Sequence, residues 1–381
     1  MTKQVPKAQA GSITAIALVC GGTAGHVYPA LAVAEAFRER YARIDVLFIG
    51  AKKGHGFERA LIASQGESLA LVTARPWVKT GPLGKLGALA SLPWGIGQAR
   101  SLLKQRGSQF VLGFGGYATP SVLLAAKSLG LATAVHEANA LPGRANRLLG
   151  HLVDRVYLAS KAAEATFPTD KTVLVGYPLQ PKVRALSQRP KEPPALDQRA
   201  ARVLIIGGSL GAGFLNARCP ELMAGIAARG MAVAVRHQSG VGREDAQRQA
   251  YAQANIKAEV ESYIHDISQA YDWADFVISA GGFGSLAEIA AIGLPALLVP
   301  TADVADDHQS ANVADFVALS GAWRQDEADW QPADLAEKIA ALLADQGAWR
   351  AASAAMRLAA APDAANALVA DAETWLAPPD R

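Results

Sequence analysis

Short runs rich in apolar and β-branched residues alternate with longer segments of helical spacing along most of the chain. In the first half, the runs that we predict to be strands are 13–20, 46–49, 110–112, 132–136, 156–158 and 173–175. This alternation is typical of βα units that build a parallel sheet. The predicted fold class is therefore α/β, with a first sheet made of these strands.

The same pattern starts again after a stretch rich in Pro, Gln, Lys and Arg that follows Tyr177-Pro178 and ends in Pro193-Pro194. Such a composition is typical of a surface linker. We expect two doubly wound domains, 13–178 and 179–359, after a flexible tail at 1–12. The Ala-rich end of the chain predicts helices, and the last, at about 360–377, is expected to pack back on the first domain. The second set of predicted strands is 203–206, 233–235, 258–261, 276–279 and 296–299.

Each half opens with a strand that leads into a glycine-rich loop, and each half contains a second such loop. Between a strand and a helix, such a loop directs several backbone N–H groups at an anion, with the positive end of the helix dipole behind them. In doubly wound folds ligands bind at the carboxyl ends of the strands. The sequence thus predicts a phosphate-containing ligand in a cleft between two facing domains. The four loops are Gly21-Gly22-Thr23-Ala24-Gly25-His26, Gly113-Phe114-Gly115-Gly116, Gly207-Gly208-Ser209-Leu210-Gly211 and Ala280-Gly281-Gly282-Phe283-Gly284-Ser285.

Composition narrows the class of protein and its location. The chain is 51% hydrophobic, yet no apolar run reaches the roughly 18 residues that a membrane helix needs, and the short run before Gly21 does not have the form of a signal peptide. The two cysteines, Cys20 and Cys219, lie far apart, which is typical of a reducing compartment. A net charge of +3 without a cluster of Lys and Arg argues against nucleic acid as a partner. We expect a cytoplasmic protein without a membrane span.

Two classes of cofactor chemistry do not fit the loops. Neither opening loop has the G-x-G-x-x-G spacing of nicotinamide-binding domains, and the second strand ends in Gly50-Ala51-Lys52, without an acid for a ribose. A metal-dependent transferase would need a D-x-D-like pair, which the sequence lacks. We therefore expect the loops themselves to hold the phosphates, with no metal and no other cofactor.

Seven segments, in order along nearly the whole chain, resemble the MurG family of glycosyltransferases. Members transfer N-acetylglucosamine from UDP-N-acetylglucosamine to the muramyl 4-hydroxyl of undecaprenyl-diphospho-N-acetylmuramyl-pentapeptide, which converts lipid I to lipid II in peptidoglycan synthesis. The resemblance implies a GT-B fold of two Rossmann-like domains and an inverting, metal-independent transfer at the cytoplasmic face of the membrane. The segments are 21–29 (GGTAGHVYP), 113–119 (GFGGYAT), 136–149 (HEANALPGRANRLL), 207–212 (GGSLGA), 263–267 (YIHDI), 285–300 and 307–312 (DHQSAN).

The resemblance assigns the acceptor to the first domain. His26 matches the family's loop histidine and becomes the candidate base, and its imidazole is the only group in this loop that can accept a proton near neutral pH. Asn139 is expected to contact sugar hydroxyls, and Glu137 is an alternative base or a residue that orients one. The junction of donor and acceptor would be lined by Thr23, Ala24 and Gly25.

The resemblance assigns the donor to the second domain. Ser209 would meet the diphosphate, and Ile264 would recognise the uracil through its backbone. Glu288 would accept hydrogen bonds from both ribose hydroxyls, and Gln309, beside Asp307 and His308, would recognise the transferred sugar. The turn before Glu288 adds four residues to the substrate-binding set: Phe283, Gly284, Ser285 and Leu286.

Two departures from the family concern basic residues. The family usually has Arg-Ser-Gly-Ala where this chain has Ala280-Gly281-Gly282-Phe283, and Asn-Pro-Val-Arg where it has Tyr177-Pro178-Leu179-Gln180. A hydrogen bond to a charged group is worth roughly 1.5 to 3 kcal/mol, so each loss would weaken donor binding without abolishing it. The chain could thus be a paralogue that uses another nucleotide sugar or another lipid acceptor.

A lipid-linked acceptor requires contact with the membrane surface. The segment from Trp77 to Trp94 mixes Trp, Leu and Lys, as peripheral membrane segments do. The alternative is a loop and helix packed in the core. We expect peripheral attachment to the inner membrane.

Two other functions fit parts of the sequence. The loop from Gly207 to Gly211 matches the G-x-S-x-G of α/β-hydrolases, with Ser209 as nucleophile and Asp275 and His308 following in the right order. That alternative leaves the first domain unexplained. The second alternative is a non-catalytic protein that binds a nucleotide sugar.

Overall fold

The computed structural model describes residues 13–53, 56–76, 81–208, 211–301, 308–318 and 321–376. Two compact units divide the chain. The first contains the residues up to Gln180 together with those from Asp363 onward, and the second is Pro181–Pro362. The predicted tail at 1–12 lies outside the described residues.

The first unit contains a seven-stranded sheet whose paired strands are parallel, with the order β3-β2-β1-β4-β5-β6-β7. Six of the strands were predicted, and β3 was missed because its sequence, LALV, lacks a β-branched run and is mostly half-buried. The strands are β1 Ala15–Val19, β2 Asp45–Ala51, β3 Leu69–Val72, β4 Phe110–Gly113, β5 Ala132–Glu137, β6 Arg155–Leu158 and β7 Thr172–Leu174.

Helices cover both faces of this sheet. Alternate residues of β1 separate into two cores, with Ile16 and Leu18 in one and Ala17 and Val19 in the other. The first core also contains buried residues of α1 and α14, and the second contains residues of α3, α4 and α5. The helices are α1 Ala24–Arg40, α2 Phe57–Ser64, α3 Pro82–Gln105, α4 Thr119–Ser128, α5 Arg144–Leu152 and, from the end of the chain, α14 Ala364–Leu376.

Specific polar contacts attach α14 to the first unit. Tyr157 Oη on β6 donates to Asp371 Oδ2 at 3.0 Å and accepts from Trp375 Nε1 at 3.1 Å. Arg40 Nε donates to Glu373 Oε1 at 2.7 Å. The last helix thus completes the core of the first unit after the chain has passed through the second.

The second unit has a six-stranded sheet with parallel pairs in the order β10-β9-β8-β11-β12-β13. The three-residue strand β13 was not predicted. The strands are β8 Ala201–Ile206, β9 Val233–Gln238, β10 Lys257–Glu261, β11 Phe276–Ser279, β12 Ala296–Leu298 and β13 Ala322–Arg324. The helices are α6 Pro181–Ser187, α7 Gly213–Ala227, α8 Glu244–Gln253, α9 Ile267–Trp273, α10 Phe283–Ile292, α11 His308–Val317, α12 Pro332–Ala344 and α13 Gln346–Leu358.

The predicted surface linker is wrong for the residues that form α6. Val183 and Leu186 of this helix are buried, and Arg357 Nη2 donates to Ser187 O at 2.7 Å. Further along, Lys191 Nζ donates to the carbonyls of Tyr271 and Ala274 at 2.8 and 2.6 Å. The segment is therefore packed on the second unit, through two buried side chains of α6 and the hydrogen bonds of Lys191.

The order of the strands reverses once in each sheet, and this reversal marks the expected ligand-binding position. The order reverses between β1 and β4 in the first sheet and between β8 and β11 in the second. In open α/β sheets, ligands bind beyond the carboxyl ends of the strands at this reversal. All four glycine-rich loops follow these four strands. Among the described helices, none is both long and apolar enough to cross a membrane.

Candidate active site

The two glycine-rich loops of the first unit pack backbone against backbone. Gly115 and Gly116 have φ of 116° and 90°. A Cβ on Gly116 would lie 2.7 Å from Gly21 O, and one on Gly115 would lie 2.6 Å from His26 Nε2. Both the positive φ and this close approach require glycine. The second loop therefore packs directly against the first.

His26 is the last residue of the loop that follows β1, and it lies in the first turn of α1. Its Nδ1 is 2.8 Å from Gly21 O and 3.4 Å from Thr23 Oγ1. Because a carbonyl oxygen only accepts, Nδ1 carries the hydrogen in the neutral ring, and Nε2 is left with the lone pair. The ring is half-buried, while Thr23 and Gly25 are exposed at the start of the helix. The predicted residues 23–26 thus lie together at the carboxyl end of β1.

A layer of aromatic rings lies behind this loop. Tyr177 Oη donates to Gly25 O at 3.1 Å, and the rings of Tyr177 and Phe114 both contact His136. His136 Nε2 is 3.0 Å from Gly176 O, and burial lowers the pKa of His136. The sequence pointed to Tyr177 only as a departure from the family, so its contact with the loop was not predicted.

Glu137 organises the loop that follows β5. Its carboxylate is buried, and Oε1 accepts from Asn139 N and Asn139 Nδ2 at 2.9 and 3.0 Å. Oε2 accepts from Gly143 N and Asn146 Nδ2 at 3.0 and 2.9 Å. The four bonds hold the loop that contains Asn139 at the carboxyl end of β5, the strand next to β4.

In the second unit, the loop after β8 is closed by a tight turn. Gly211 N donates to Gly208 O at 3.1 Å, and φ is 79° at Gly208 and 73° at Gly211. A Cβ on Gly211 would run into the carbonyl of Ser239, so this loop also needs glycine where it touches its neighbour. Ser209, predicted to meet the diphosphate, lies outside the described residues.

The loop after β11 leads into α10 without a side-chain cap. Gly284 and Ser285 of the first turn are half-buried. Phe283 packs against Phe316 with ring centroids 5.5 Å apart, and Leu286 is fully buried. The side chains of Phe283 and Leu286 therefore belong to the core, and any contact that they make with a ligand must come from the backbone.

Glu288 and Ile264 are each held by a neighbour within the second unit. Tyr271 Oη donates to Glu288 Oε2 at 3.0 Å, which fixes this largely buried carboxylate on α10. Ile264 N donates to Gln238 Oε1 at 2.9 Å. The amide of Ile264 is thus engaged inside the protein.

Gln309 bridges two backbone segments. Its Oε1 accepts from Gly281 N and Thr301 N at 3.0 and 2.8 Å. Two N–H donors on one atom identify that atom as the oxygen, so Nε2 is the end that can donate to a ligand. A Cβ on Gly281 would lie 2.7 Å from Gln309 Cβ. Asp307, expected beside it, lies outside the described residues.

The strand polarity rules out the hydrolase alternative. Asp275 directly precedes β11, at the amino end of the strand, where its carboxylate pairs with Arg199 at 2.6 Å and accepts from Arg202 N. The loop from Gly207 follows β8 at the carboxyl end, and β8 and β11 are parallel. The proposed acid therefore lies at the amino ends of the strands, whereas the loop that was to supply the nucleophile follows a carboxyl end. Among the residues described, no group of three or more His, Cys, Asp or Glu side chains is arranged to hold a metal.

Comparison with protein families matches both halves of the chain. The glycosyltransferase family 28 N-terminal domain matches residues 16–158, and the family 28 C-terminal domain matches residues 202–368. Two curated relatives bear the name UDP-N-acetylglucosamine–N-acetylmuramyl-(pentapeptide) pyrophosphoryl-undecaprenol N-acetylglucosamine transferase. The protein from Magnetococcus marinus is 37% identical over 84% of this chain and 86% of its own. The protein from Chromohalobacter salexigens is 36% identical over 87% and 88%.

Solved structures agree with the sequence relatives. MurG of Acinetobacter baumannii superposes with a TM-score of 0.73 at 27% identity, over 95% of this chain and 99% of its own. A putative UDP-N-acetylglucosamine 2-epimerase from Listeria monocytogenes reaches a TM-score of 0.68 over 97% and 98%, but at 13% identity it shows the fold alone. The predicted GT-B fold class is confirmed. With both family 28 domains matched and relatives above one-third identity over most of their length, the chain belongs to the MurG family of glycosyltransferases.

Proposed function

We propose that this protein transfers N-acetylglucosamine from UDP-N-acetylglucosamine to the muramyl 4-hydroxyl of undecaprenyl-diphospho-N-acetylmuramyl-pentapeptide. The observation that carries the proposal is the match to relatives with this activity in their names, over 84% of this chain at 37% identity. The site geometry agrees, because each unit has two glycine-rich loops at the strand-order reversal where α/β sheets bind ligands.

His26 is the base in this proposal. The hydrogen bond from Nδ1 to Gly21 O keeps the lone pair on Nε2, so the ring has the tautomer that a base requires. Nε2 takes the proton of the muramyl hydroxyl as its oxygen attacks the anomeric carbon. The bond from that carbon to the diphosphate breaks, UDP leaves, and the configuration inverts.

Glu137 positions the loop in this proposal. Each carboxylate oxygen already accepts two hydrogen bonds from residues 139–146. Both oxygens are thus engaged by donors of the segment that follows β5. We therefore assign Glu137 to the placement of Asn139, whose side chain contacts sugar hydroxyls.

The donor binds to the second unit in this proposal. The Ile264 carbonyl accepts from uracil N3–H, since its amide donates to Gln238. Glu288, oriented by Tyr271, accepts from the ribose hydroxyls. The first-turn amides of α10 and the loop from Gly207 face the diphosphate, and each such donor is worth roughly 2.7 to 4 kcal/mol to a developing negative charge.

Gln309 recognises the transferred sugar. Its oxygen is fixed by Gly281 N and Thr301 N, so its amide nitrogen donates to a sugar hydroxyl. Because both donors belong to loops at the carboxyl ends of β11 and β12, this amide also keeps the two loops in a fixed relation.

The lipid-linked acceptor is reached by peripheral attachment of the first unit to the membrane. Leu86 and Trp94 of α3 are 63% and 72% exposed, and Leu148 and Leu152 of α5 are 73% and 51% exposed. Both helices pack on the same core, so the side chains lie on helices of one sheet face. Apolar side chains exposed in this way support attachment to an interface. Residues 77–80 of the predicted segment lie outside the described residues.

The decisive experiment follows sugar from donor to lipid. The purified protein is incubated with UDP-N-acetylglucosamine labelled in the sugar and with lipid-linked muramyl-pentapeptide, in the presence of a chelator. We expect label in the lipid phase, and no label when the muramyl lipid is omitted. UDP-glucose is tested in parallel because Ala280 and Gln180 replace the family arginines. Transfer from that donor alone would favour the paralogue, and binding of UDP without any transfer would favour the non-catalytic alternative.

A further inference from the structure

Gln238 connects the two donor-binding loops of the second unit through one side chain. Its Nε2 donates to Gly208 O at 2.7 Å, in the loop after β8. Its Oε1 accepts from Ile264 N at 2.9 Å, in the loop after β10. The side chain is 5% exposed, and because one end donates while the other accepts, the amide orientation is fixed by its partners.

The position of Gln238 in the sheet explains this reach. It is the last residue of β9, paired with Ile206 of β8 on one side and Glu261 of β10 on the other. The diphosphate loop follows Ile206 directly, and the base-recognition loop follows Glu261. A side chain at the end of β9 is thus placed between the two loops.

A buried network holds the end of β9 in place. His237 Nδ1 is 2.8 Å from Tyr251 Oη, and His237 Nε2 is 3.0 Å from Asn216 Oδ1. Asn216 Nδ2 donates to Ser239 O at 2.9 Å, and Ser239 N donates to Glu261 O. Gln238 is therefore set between two residues that cannot shift without breaking buried hydrogen bonds.

We propose that Gln238 is a positioning residue that couples recognition of the uracil to recognition of the diphosphate. The inference rests on the proposed function, since it assumes that the donor is a uridine diphosphate sugar. Gly208 O accepts from both Gly211 N and Gln238, so the amide sets the turn that presents the diphosphate loop. The same amide fixes Ile264, so its loss disorders both subsites and the donor must order them when it binds.

The Gln238 amide satisfies both contacts, whereas a carboxylate, which only accepts, satisfies one. Gln238→Leu removes both, whereas Gln238→Glu keeps an acceptor for Ile264 N and opposes Gly208 O with a carboxylate oxygen. A protonated Glu carboxyl has an O–H donor and restores the second contact. The two variants therefore separate the base-loop contact from the diphosphate-loop contact.

Hydrogen exchange of the ligand-free protein tests the bridge itself. We expect the Ile264 amide to exchange slowly in the native protein and in Gln238→Glu, and at least about tenfold faster in Gln238→Leu. Gln325→Leu is the matched control, since Gln325 Nε2 also donates to backbone carbonyls, of Asp326 and Asp329, away from both loops. Equal Ile264 exchange in all four proteins would overturn the bridge.

Titration calorimetry with UDP and with uridine tests the coupling. We expect Gln238→Leu to weaken UDP about tenfold or more, corresponding to one buried hydrogen bond or slightly more, with uridine weakened as well. Gln238→Glu should weaken UDP but not uridine, and lowering the pH should restore its UDP affinity as the carboxyl is protonated. Gln238→Leu should show no such recovery, and Gln325→Leu should bind UDP as the native protein does.

The outcomes separate this inference from the proposed function. Native UDP affinity in both Gln238 variants, or a Gln238→Glu affinity that stays low at every pH, would overturn the coupling while the donor assignment stands. If the native protein binds neither UDP nor uridine, the proposed function and the coupling both fall, and hydrogen exchange still decides whether Gln238 holds the two loops together.

Discussion

At the scale of single residues, the two ring nitrogens of His26 have different surroundings. Nδ1 faces the carbonyl of Gly21, and Nε2 faces Gly115, where a Cβ would lie 2.6 Å from that nitrogen. A side chain at Gly115 would therefore occupy the space beside the proposed basic atom. In the proposed function, the missing side chain leaves space beside Nε2 for an acceptor hydroxyl.

Replacement of the proposed base tests this arrangement. We expect His26→Ala to lower kcat about 10²- to 10⁴-fold, the usual contribution of a general base, with little change in the KM for the donor. Steady-state kinetics with both substrates varied will measure the two constants separately. An unchanged kcat would exclude His26 as the base.

Replacement of the ribose acid is expected to have the opposite effect. Glu288→Ala removes a charged acceptor worth roughly 1.5 to 3 kcal/mol, so the KM for the donor should rise about ten- to hundredfold while kcat changes less. Tyr271→Phe removes only the bond that orients the carboxylate, and its KM should rise less. A Glu288→Ala variant with native donor KM would contradict the assignment.

The acid stability of the second unit should depend on His237. Burial lowers the pKa of His237 to about 3 from the ordinary value of 6.5, so the unfolded chain binds a proton in this window and the folded chain does not. The free energy of unfolding should therefore fall as the pH falls from about 6.5 towards 3, by up to about 1.4 kcal/mol per pH unit from this group. Urea titrations should show a shallower pH dependence in His237→Gln, and identical slopes would contradict this role.

At the scale of elements, hydrophobic periodicity predicted most strands. It did not predict which individual side chains pack in the core. The missed strands β3 and β13 are short and incompletely buried, so their sequences carry little alternation. Residues 181–187 were taken for a linker because their polar residues hide two buried apolar ones. Phe283 and Leu286 were predicted to bind substrate, yet their side chains pack in the core.

Long-range contacts explain what the sequence could not predict. Gln238 and Ile264 are 26 positions apart, and Tyr177 and Gly25 are 152 apart. A Gln or Tyr with such a partner has no local signature, since its role depends on which strands become neighbours. The glycine-rich loops were predictable because their function depends on backbone geometry, which glycine spacing reports directly.

The last helix offers a stability test at this scale. Leu368 of α14 is fully buried in a core of the first unit, so Leu368→Ala should lower the free energy of unfolding by about 2 to 5 kcal/mol. Leu358 of α13 is 78% exposed, and Leu358→Ala should change it by less than about 0.5 kcal/mol. Denaturant titration compares the two, and an equal loss would contradict the place of α14 in the core.

At the scale of the whole molecule, the two units share a similar strand order, and the proposed function assigns the acceptor to the first and the donor to the second. Both place glycine-rich loops at the reversal of strand order. The first adds a histidine and a loop organised by a carboxylate, and the second adds the Gln238 amide together with the proposed ribose acid and the proposed sugar-binding amide. In the proposed function, the shared topology accounts for phosphate binding and the different side chains account for the choice of acceptor and donor.

The proposed attachment to the membrane also belongs to the scale of the whole molecule. The net charge of +3 is small, so long-range attraction to anionic lipid is weak, and we expect the exposed apolar residues of the first unit to carry most of the binding. Replacement of Leu148 and Leu152 by Ser should reduce co-sedimentation with vesicles of phosphatidylcholine and phosphatidylglycerol at least about fivefold, because each buried leucine contributes roughly 1.5 to 3 kcal/mol. Salt should reduce it less. Leu358→Ser, at an equally exposed leucine of the second unit, is the control, and equal sedimentation of both variants would place the membrane contact elsewhere.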